Sequence, residues 1–386
     1  MKSDLRLWTI LVSCFAITSG GNAYIIAPGS IGPVFAAAFD VSRTSIGLTI
    51  TITVLGSIAA QLPVGILMDR YDNRNLLTAV VAVFMFVGAA GAFVESYEAF
   101  LATRLIAGAM AGVLVVIGAN IVEHIFSPDR IGFATTLFVA SGPFGIALAQ
   151  FMSPLIAQEF GVVAVILVYP ALSLIALVVF RTTTSGSLRA EGELKLRDLR
   201  SVFANRNVLL IAVSGFCTYA IWFFVNSWLP TFGTEQLSLS LAMAGALASV
   251  LPLVGIIARP SGGLISDYLG NRPRPVIAGS LFVMVLAFGL FYTADSIMTY
   301  LAGLILGGFA LQLGTGLYYL QAQELAFEGS EATSLTVFST IAFSGALFSP
   351  YVSGWLIENF SWQLAFQVFA VVAVVGGGAE LLLNDT

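Results

Sequence analysis

Uncharged apolar stretches of about twenty residues recur along this chain, and they constrain it more than any motif, because a helix needs roughly 20 apolar residues to cross about 30 Å of hydrocarbon. Stretches such as Leu76 to Val94 and Leu281 to Tyr292 are apolar on every face. Barrel strands would instead alternate apolar and polar residues over about ten positions, so bundled membrane helices are the expected architecture. Only 10% of the 386 residues are charged and 58% are hydrophobic, against about one quarter charged in soluble domains. That composition excludes a cytosolic enzyme or a nucleic-acid binder.

Apolar runs bounded by charges and turn residues give an all-α membrane protein of 12 transmembrane helices in two pseudo-symmetric six-helix bundles. The first six spans are expected near 7–37, 44–68, 75–94, 98–122, 131–154 and 162–180. The second six are expected near 207–232, 243–266, 275–293, 297–322, 332–355 and 363–382. The first run follows Lys2 and Arg6 but is too long for a signal peptide and lacks a small-residue cleavage site. The polar segment 181–206 separates an N-terminal bundle (1–180) from a C-terminal one (207–386) and reads as a cytoplasmic linker with a surface helix near Leu194 to Phe203.

Lys and Arg are retained in cytoplasmic loops. With the amino terminus inside, thirteen of the sixteen basic residues fall on the inner face and only Arg43 on the outer one. Both termini are therefore expected to be cytoplasmic, in a multi-pass protein of the cell membrane. Cys14 and Cys217 lie in apolar runs, where buried thiols are expected rather than a disulfide.

The halves repeat. An offset of 198 residues places Ser42 on Ser240, Gly47 on Gly245, Gly65 on Gly263 and Asp69 on Asp267, and an offset of 196 places Ser153-Pro154 on Ser349-Pro350. Parallel six-helix repeats are a transporter architecture with the substrate site near the bilayer midplane.

The loop after the second span reads Gly65-Ile-Leu-Met-Asp69-Arg70-Tyr71-Asp72-Asn73-Arg74, and that after the eighth reads Gly263-Leu-Ile-Ser-Asp267-Tyr268-Leu269-Gly270-Asn271-Arg272. Both resemble the G-x-x-x-D-R-x-G-R-[KR] motif of the major facilitator superfamily, with Asp72 in place of a Gly and Tyr268 in place of an Arg. Arg104-Leu-Ile-Ala-Gly108 resembles the family's R-x-x-x-G pattern in the fourth helix. Gly142-Pro143-Phe144-Gly145 resembles part of a glycine-proline motif in the fifth, where Gly and Pro are expected to bend or thin the helix. The resemblance implies a secondary transporter working by alternating access, with Gly65, Asp69, Arg70, Arg74, Gly263, Asp267 and Arg272 in gating loops and Arg104 bonded to the first helix.

Charge within a span costs about 2.5–3.5 kcal/mol on insertion scales, so an ionisable residue there marks a functional site. Arg104 and Arg259 meet that description, and no carboxylate is expected to. Arg259 lies eight residues before Asp267, roughly 12 Å along its helix and close to the midplane. The run Arg259-Pro260-Ser261-Gly262-Gly263 resembles the eighth helix of nitrate/nitrite porters and related small-anion carriers, which implies that Arg259 binds an anion. The repeat-related position is Gln61. Further polar or aromatic candidates for the substrate cavity are Asn22, Tyr24, Tyr219, Trp222, Asn226, Gln312 and Tyr318, with Thr315 nearby.

Without a buried carboxylate, transport is expected to be uniport, exchange, or symport in which the substrate complex carries the proton. His124 beside Glu123 reads as structural. The substrate is expected to be a small anionic solute, carboxylate or inorganic. A drug or lipophile exporter is the alternative, and an enzyme or receptor is the least favoured reading, since no metal-ligand spacing, nucleophile motif or nucleotide loop is present. No cofactor, metal or nucleic acid is expected, only membrane lipid and a small substrate, and the chain is expected to act as a monomer.

Overall fold

A computed structural model describes residues 2–184, 205–325 and 331–383. Among them are fifteen helices and no strand. This is the outcome that lipid imposes, because a helix satisfies its own backbone N–H and C=O groups where no water is present to do so.

The first compact unit comprises residues 1–41 and 48–194, the second 42–47 and 195–386. In the first, α1 spans Lys2–Ser30, α2 Gly32–Phe39, α3 Arg43–Arg70 (its first five residues counted with the second unit), α4 Asn73–Ala90, α5 Tyr97–Ile125, α6 Pro128–Val139 and α7 Ser141–Thr183. In the second, α8 spans Arg206–Gln236, α9 Leu241–Ala248, α10 Val250–Tyr268, α11 Pro273–Tyr292, α12 Ile297–Leu313, α13 Leu317–Glu324, α14 Glu331–Asn359 and α15 Trp362–Leu381. Most of the expected linker, including the helix near Leu194, lies outside the described residues. Arg181 to Thr183, assigned to that linker from sequence, continue α7.

Eleven helical stretches among the described residues are long and apolar enough to cross a membrane. One of them, Pro128–Thr183, has 56 residues, far more than the roughly 20 a crossing requires. It breaks at Gly161, whose φ of 79° and ψ of 176° lie outside the helical region and which alone lacks the Cβ that would forbid them. Counted as two passes, this stretch brings the crossings to twelve. Several expected spans are interrupted. The first ends at Ser30 and resumes as α2, the eighth is divided near Ser249, and the tenth is broken between Leu313 and Leu317.

The internal repeat is visible in equivalent contacts made separately by each sequence half. Ser42 Oγ accepts a hydrogen bond from Ser45 N at 3.3 Å, and Ser240 Oγ accepts one from Met243 N at the same distance. Both serines thus cap the start of the second span of their half. A Cβ added to Gly108 would lie 2.2 Å from the Thr53 carbonyl oxygen, and one added to Gly308 would lie 2.3 Å from that of Leu251. The second and fourth spans of each half touch backbone to backbone there, and only glycine permits it.

Arg104 holds the first unit together at its centre. It is 1% exposed, and its Nη2 donates to the carbonyl oxygens of Tyr24 at 2.9 Å and Ile25 at 3.3 Å, while Nε donates to Thr53 Oγ1 at 2.9 Å. Pro28 lies inside α1 and has no N–H to offer the carbonyl four residues earlier. That carbonyl belongs to Tyr24, so the guanidinium supplies the donor the proline withdrew. It also sits 4.0 Å from the centroid of the Tyr24 ring, a cation–π contact strengthened by the absence of water.

Arg104→Ala is expected to destabilise the protein by about 2–4 kcal/mol, taking about 0.6 kcal/mol for each of three hydrogen bonds in lipid and the remainder from the ring contact. Arg104→Lys should recover only part, since an ammonium cannot bridge two carbonyls and a hydroxyl in one plane. Thermal unfolding of the purified variants in detergent checks both.

Candidate functional site

The second unit builds a polar cluster around Arg259 on α10. Gly255 and Gly262 flank the arginine by four and three residues, on the same helical face. A Cβ on the first would come 2.4 Å from Gln312 Cγ, and on the second 1.9 Å from the Leu313 carbonyl oxygen. These glycines let α10 lie against the end of α12, which brings Gln312 beside Arg259. The Arg259 Nε donates to Gln312 Oε1 at 2.6 Å. Gln312 is 3% exposed and Arg259 is half-buried, so a buried amide holds a partly accessible guanidinium in a fixed plane.

Aromatic side chains complete the cluster. The phenols of Tyr219 and Tyr319 interact electrostatically with Arg259, and their hydroxyls are 3.3 Å apart. The Tyr219 ring packs against Phe343 with centroids 4.4 Å apart. Tyr219 and Phe343 are half-buried, and Tyr319 is exposed. One positive fork, two phenols and an aromatic wall therefore converge from α8, α10, α12, α13 and α14. Such a set can bind a planar anion through paired N–H donors and pack an apolar or aromatic body beside it.

The other candidates are placed differently. Trp222 and Asn226 are buried in α8, and Asn226 Nδ2 donates to the Trp222 carbonyl at 2.8 Å. Tyr318 is 1% exposed, with its hydroxyl 2.8 Å from both Ser214 Oγ and Thr218 Oγ1. It joins α13 to α8 instead of facing the arginine cluster. Thr315 donates to the Leu311 carbonyl at 2.8 Å. In the first unit Tyr24 lies buried under Arg104, Asn22 is half-buried with Nδ2 donating to the Thr18 carbonyl at 3.0 Å, and Gln61 is half-buried on α3. His124 is exposed, its Nδ1 2.7 Å from the Asn120 carbonyl oxygen, and Cys14 and Cys217 are buried free thiols.

Among the motif residues, Arg70, Asp267 and Arg272 are exposed at helix ends, Gly65 is half-buried, and the side chain of Asp69 lies outside the described residues. Arg74 Nη2 donates to the Arg181 carbonyl at 3.1 Å. Asp72, the departure from the motif, caps α4 by accepting from Arg74 N and Asn75 N. A Cβ on Gly263 or Gly142 would meet nothing within 4 Å, whereas one on Gly145 would come 2.4 Å from the Ser19 carbonyl oxygen. Gly145 therefore brings α7 against α1, and Pro143 stands buried in the first turn of α7.

Three residues of consequence escaped the sequence reading. Tyr319 lies beyond the helix break at Gly314, which changes the phase of α13, so spacing from Gln312 does not carry to it, and Phe343 sits in α14 as one of many Phe residues with no local pattern to single it out. Glu380 corrects the expectation that no carboxylate is buried. It lies one residue from the end of α15 and is 0% exposed. It falls inside the expected span 363–382, whose one acid it is, so the residue order itself carried the signal.

Residues 10–346 match the family described as Major Facilitator Superfamily. The 4-hydroxybenzoate transporter of Pseudomonas aeruginosa is 24% identical, with 78% of this chain and 72% of that one covered. A probable nitrate/nitrite transporter of Mycobacterium tuberculosis is 27% identical, covering 84% of this chain and 83% of that one. Among solved structures, a nucleoside transporter superposes with a TM-score of 0.83 at 15% identity, covering 98% of this chain and 100% of the other, a likeness of fold. With the family match running through both helical units, the chain belongs to the Major Facilitator Superfamily and is a multi-span membrane transporter of small molecules, not an enzyme.

Proposed function

We propose that this transporter carries a small organic anion with a planar carboxylate, bound at Arg259 and moved by alternating access. The observation that carries the reading is the 2.6 Å bond from Arg259 Nε to buried Gln312 Oε1. It fixes the plane of a guanidinium in a membrane-spanning helix, and a guanidinium is charged at all physiological pH and offers donors in pairs. The Tyr219, Tyr319 and Phe343 rings favour a ligand with an apolar or aromatic body over a bare inorganic ion. Relatives named for 4-hydroxybenzoate and for nitrate support a planar anion. Uncharged Gln61 stands at the position related to Arg259 by the repeat, which also favours a ligand with one charged end. The exporter of lipophilic compounds has no observation in its favour here.

The same reading places the protein in the cell membrane as a monomer, with both termini cytoplasmic and residues 1–180 and 207–386 as the two moving bundles. The 181–206 connection and the basic loops around Arg74 and Arg272 would face the cytoplasm. Asp295→Cys, in the exposed connection between α11 and α12, should react with an impermeant maleimide in intact cells. Arg272→Cys should react only after permeabilisation, and the reverse pattern inverts the topology.

Proteoliposome uptake tests the substrate with 4-hydroxybenzoate, nitrate and a lipophilic cation. 4-Hydroxybenzoate is expected to be the best substrate of the three. Arg259→Ala should lower its kcat/KM by about 30-fold or more, since truncating one member of a buried charge pair costs about 2–5 kcal/mol. Arg259→Lys should restore only part, for want of paired donors. Unchanged anion uptake by Arg259→Ala overturns the assignment.

A further inference from the structure

The one buried acid among the described membrane helices, Glu380, sits in a pocket that its ionised form does not satisfy. Its Oε2 accepts from Gln321 Nε2 at 3.1 Å, and the Ser214 hydroxyl, bonded to that of Tyr318 at 2.8 Å, lies near the carboxyl group. Its Oε1 is buried with no hydrogen-bond partner among the described residues, and so is Gln321 Oε1. Two acceptor oxygens, one on the acid and one on the amide bonded to it, are thus buried without a donor among the described residues. A proton on the carboxyl group supplies that donor and removes the charge together.

Among the described residues no salt bridge to Glu380 is formed, and the nearby positive charge is that of Arg274. Arg274, from the first turn of α11, directs Nε to the Glu380 carbonyl at 2.7 Å and Nη2 to the Leu381 carbonyl at 2.5 Å. Two of its donors therefore cap the end of α15, and its charge acts on the carboxylate from there. Among the described residues the other ionisable neighbours are Tyr318 of α13 and, beside Tyr318, Cys217 of α8. Ser214 of α8 and Gln321 of α13 are polar groups that face it.

The pocket is joined to the arginine cluster through two helices at adjacent positions. Ser214, next to Glu380, bonds the Tyr318 hydroxyl, which also bonds Thr218. The next residue on each helix, Tyr219 and Tyr319, forms the phenol pair beside Arg259. The short α13, Leu317–Glu324, follows the break at Gly314 to Gly316 and carries Tyr318 and Gln321 on the face toward Glu380 and Tyr319 toward Arg259. Any shift of α13 against α8 changes both sites at once.

We propose that Glu380 is a proton-binding site, and that its protonation, passed through α13 and α8, couples proton movement to anion transport at Arg259. The transport half of this inference rests on the proposed anion function. The proton-binding half does not. Coupling here would be carried by the protein's own carboxyl group, in place of a proton that travels only with the substrate.

The test uses full-length protein reconstituted in liposomes. Infrared difference spectra between acidic and alkaline buffer should show a buried carboxylic acid band in wild type that titrates and is lost in Glu380→Gln. In the transport arm, with 4-hydroxybenzoate as probe, wild type should accumulate it under an inward proton gradient. Glu380→Gln should lose that accumulation and keep probe exchange, because the amide mimics a carboxyl group that never releases its proton. Glu380→Asp, which keeps a titrating acid, should recover gradient-driven accumulation if the Gln variant folds poorly. The proposal is overturned if the titrating band survives in Glu380→Gln, or if that variant accumulates the probe as wild type does. Absence of both exchange and accumulation in wild type sinks the anion reading instead and leaves the spectra to decide Glu380.

Discussion

Every polar group placed in hydrocarbon must find its partner inside the protein, and the arrangement of this transporter follows from that demand. Helices meet it for the backbone. Prolines within spans break it locally, and the repair at Pro28 shows the consequence: the Tyr24 carbonyl left without its helical donor is taken by Arg104. A residue that would be expensive alone becomes the tie between α1, α3 and α5, because its charge and its donors are consumed by groups that needed them.

Close helix contact extends the same logic. Glycine at Gly108 and Gly308 lets two backbones touch where larger residues would hold them apart. In the second unit, Gly255 and Gly262 do this on either side of Arg259 and bring Gln312 within bonding distance. The site is therefore a product of packing: its guanidinium is oriented by an amide on another helix, and that amide reaches it only because glycine leaves the space. The arginine in the first unit is spent on structure, while the one in the second remains partly accessible.

Much of this could be read from residues. Twelve crossings followed from the uncharged runs, and the doubling followed from Ser42 and Ser240, whose capping bonds prove equivalent. Arg104 and Arg259 stood out because charge is rare in apolar sequence. Single polar and aromatic candidates were less legible. Asn226, Trp222 and Tyr318 are as polar or aromatic as Tyr219, yet they turn into the bundle and bond to neighbouring helix groups. Which face a residue shows depends on helix phase, and breaks such as those at Gly161 and Gly314 reset it. The burial of Glu380, near the end of its span, depends on α8, α11 and α13 closing over that end, which the spacing of residues in the chain does not record.

Sequence alone determined that this chain lives in lipid, crosses it twelve times as helices, is built from two related halves and concentrates its intramembrane positive charge at two positions. Those properties depend on the kind and order of residues, which hydrophobicity and spacing encode directly. Tertiary structure decided which arginine is consumed by backbone carbonyls and which stays partly accessible, which tyrosines face Arg259, and that one carboxyl group is buried with an oxygen short of a donor. These depend on distances of a few ångströms between residues far apart in the chain, set by glycine contacts and helix breaks, and no local pattern in the chain records them.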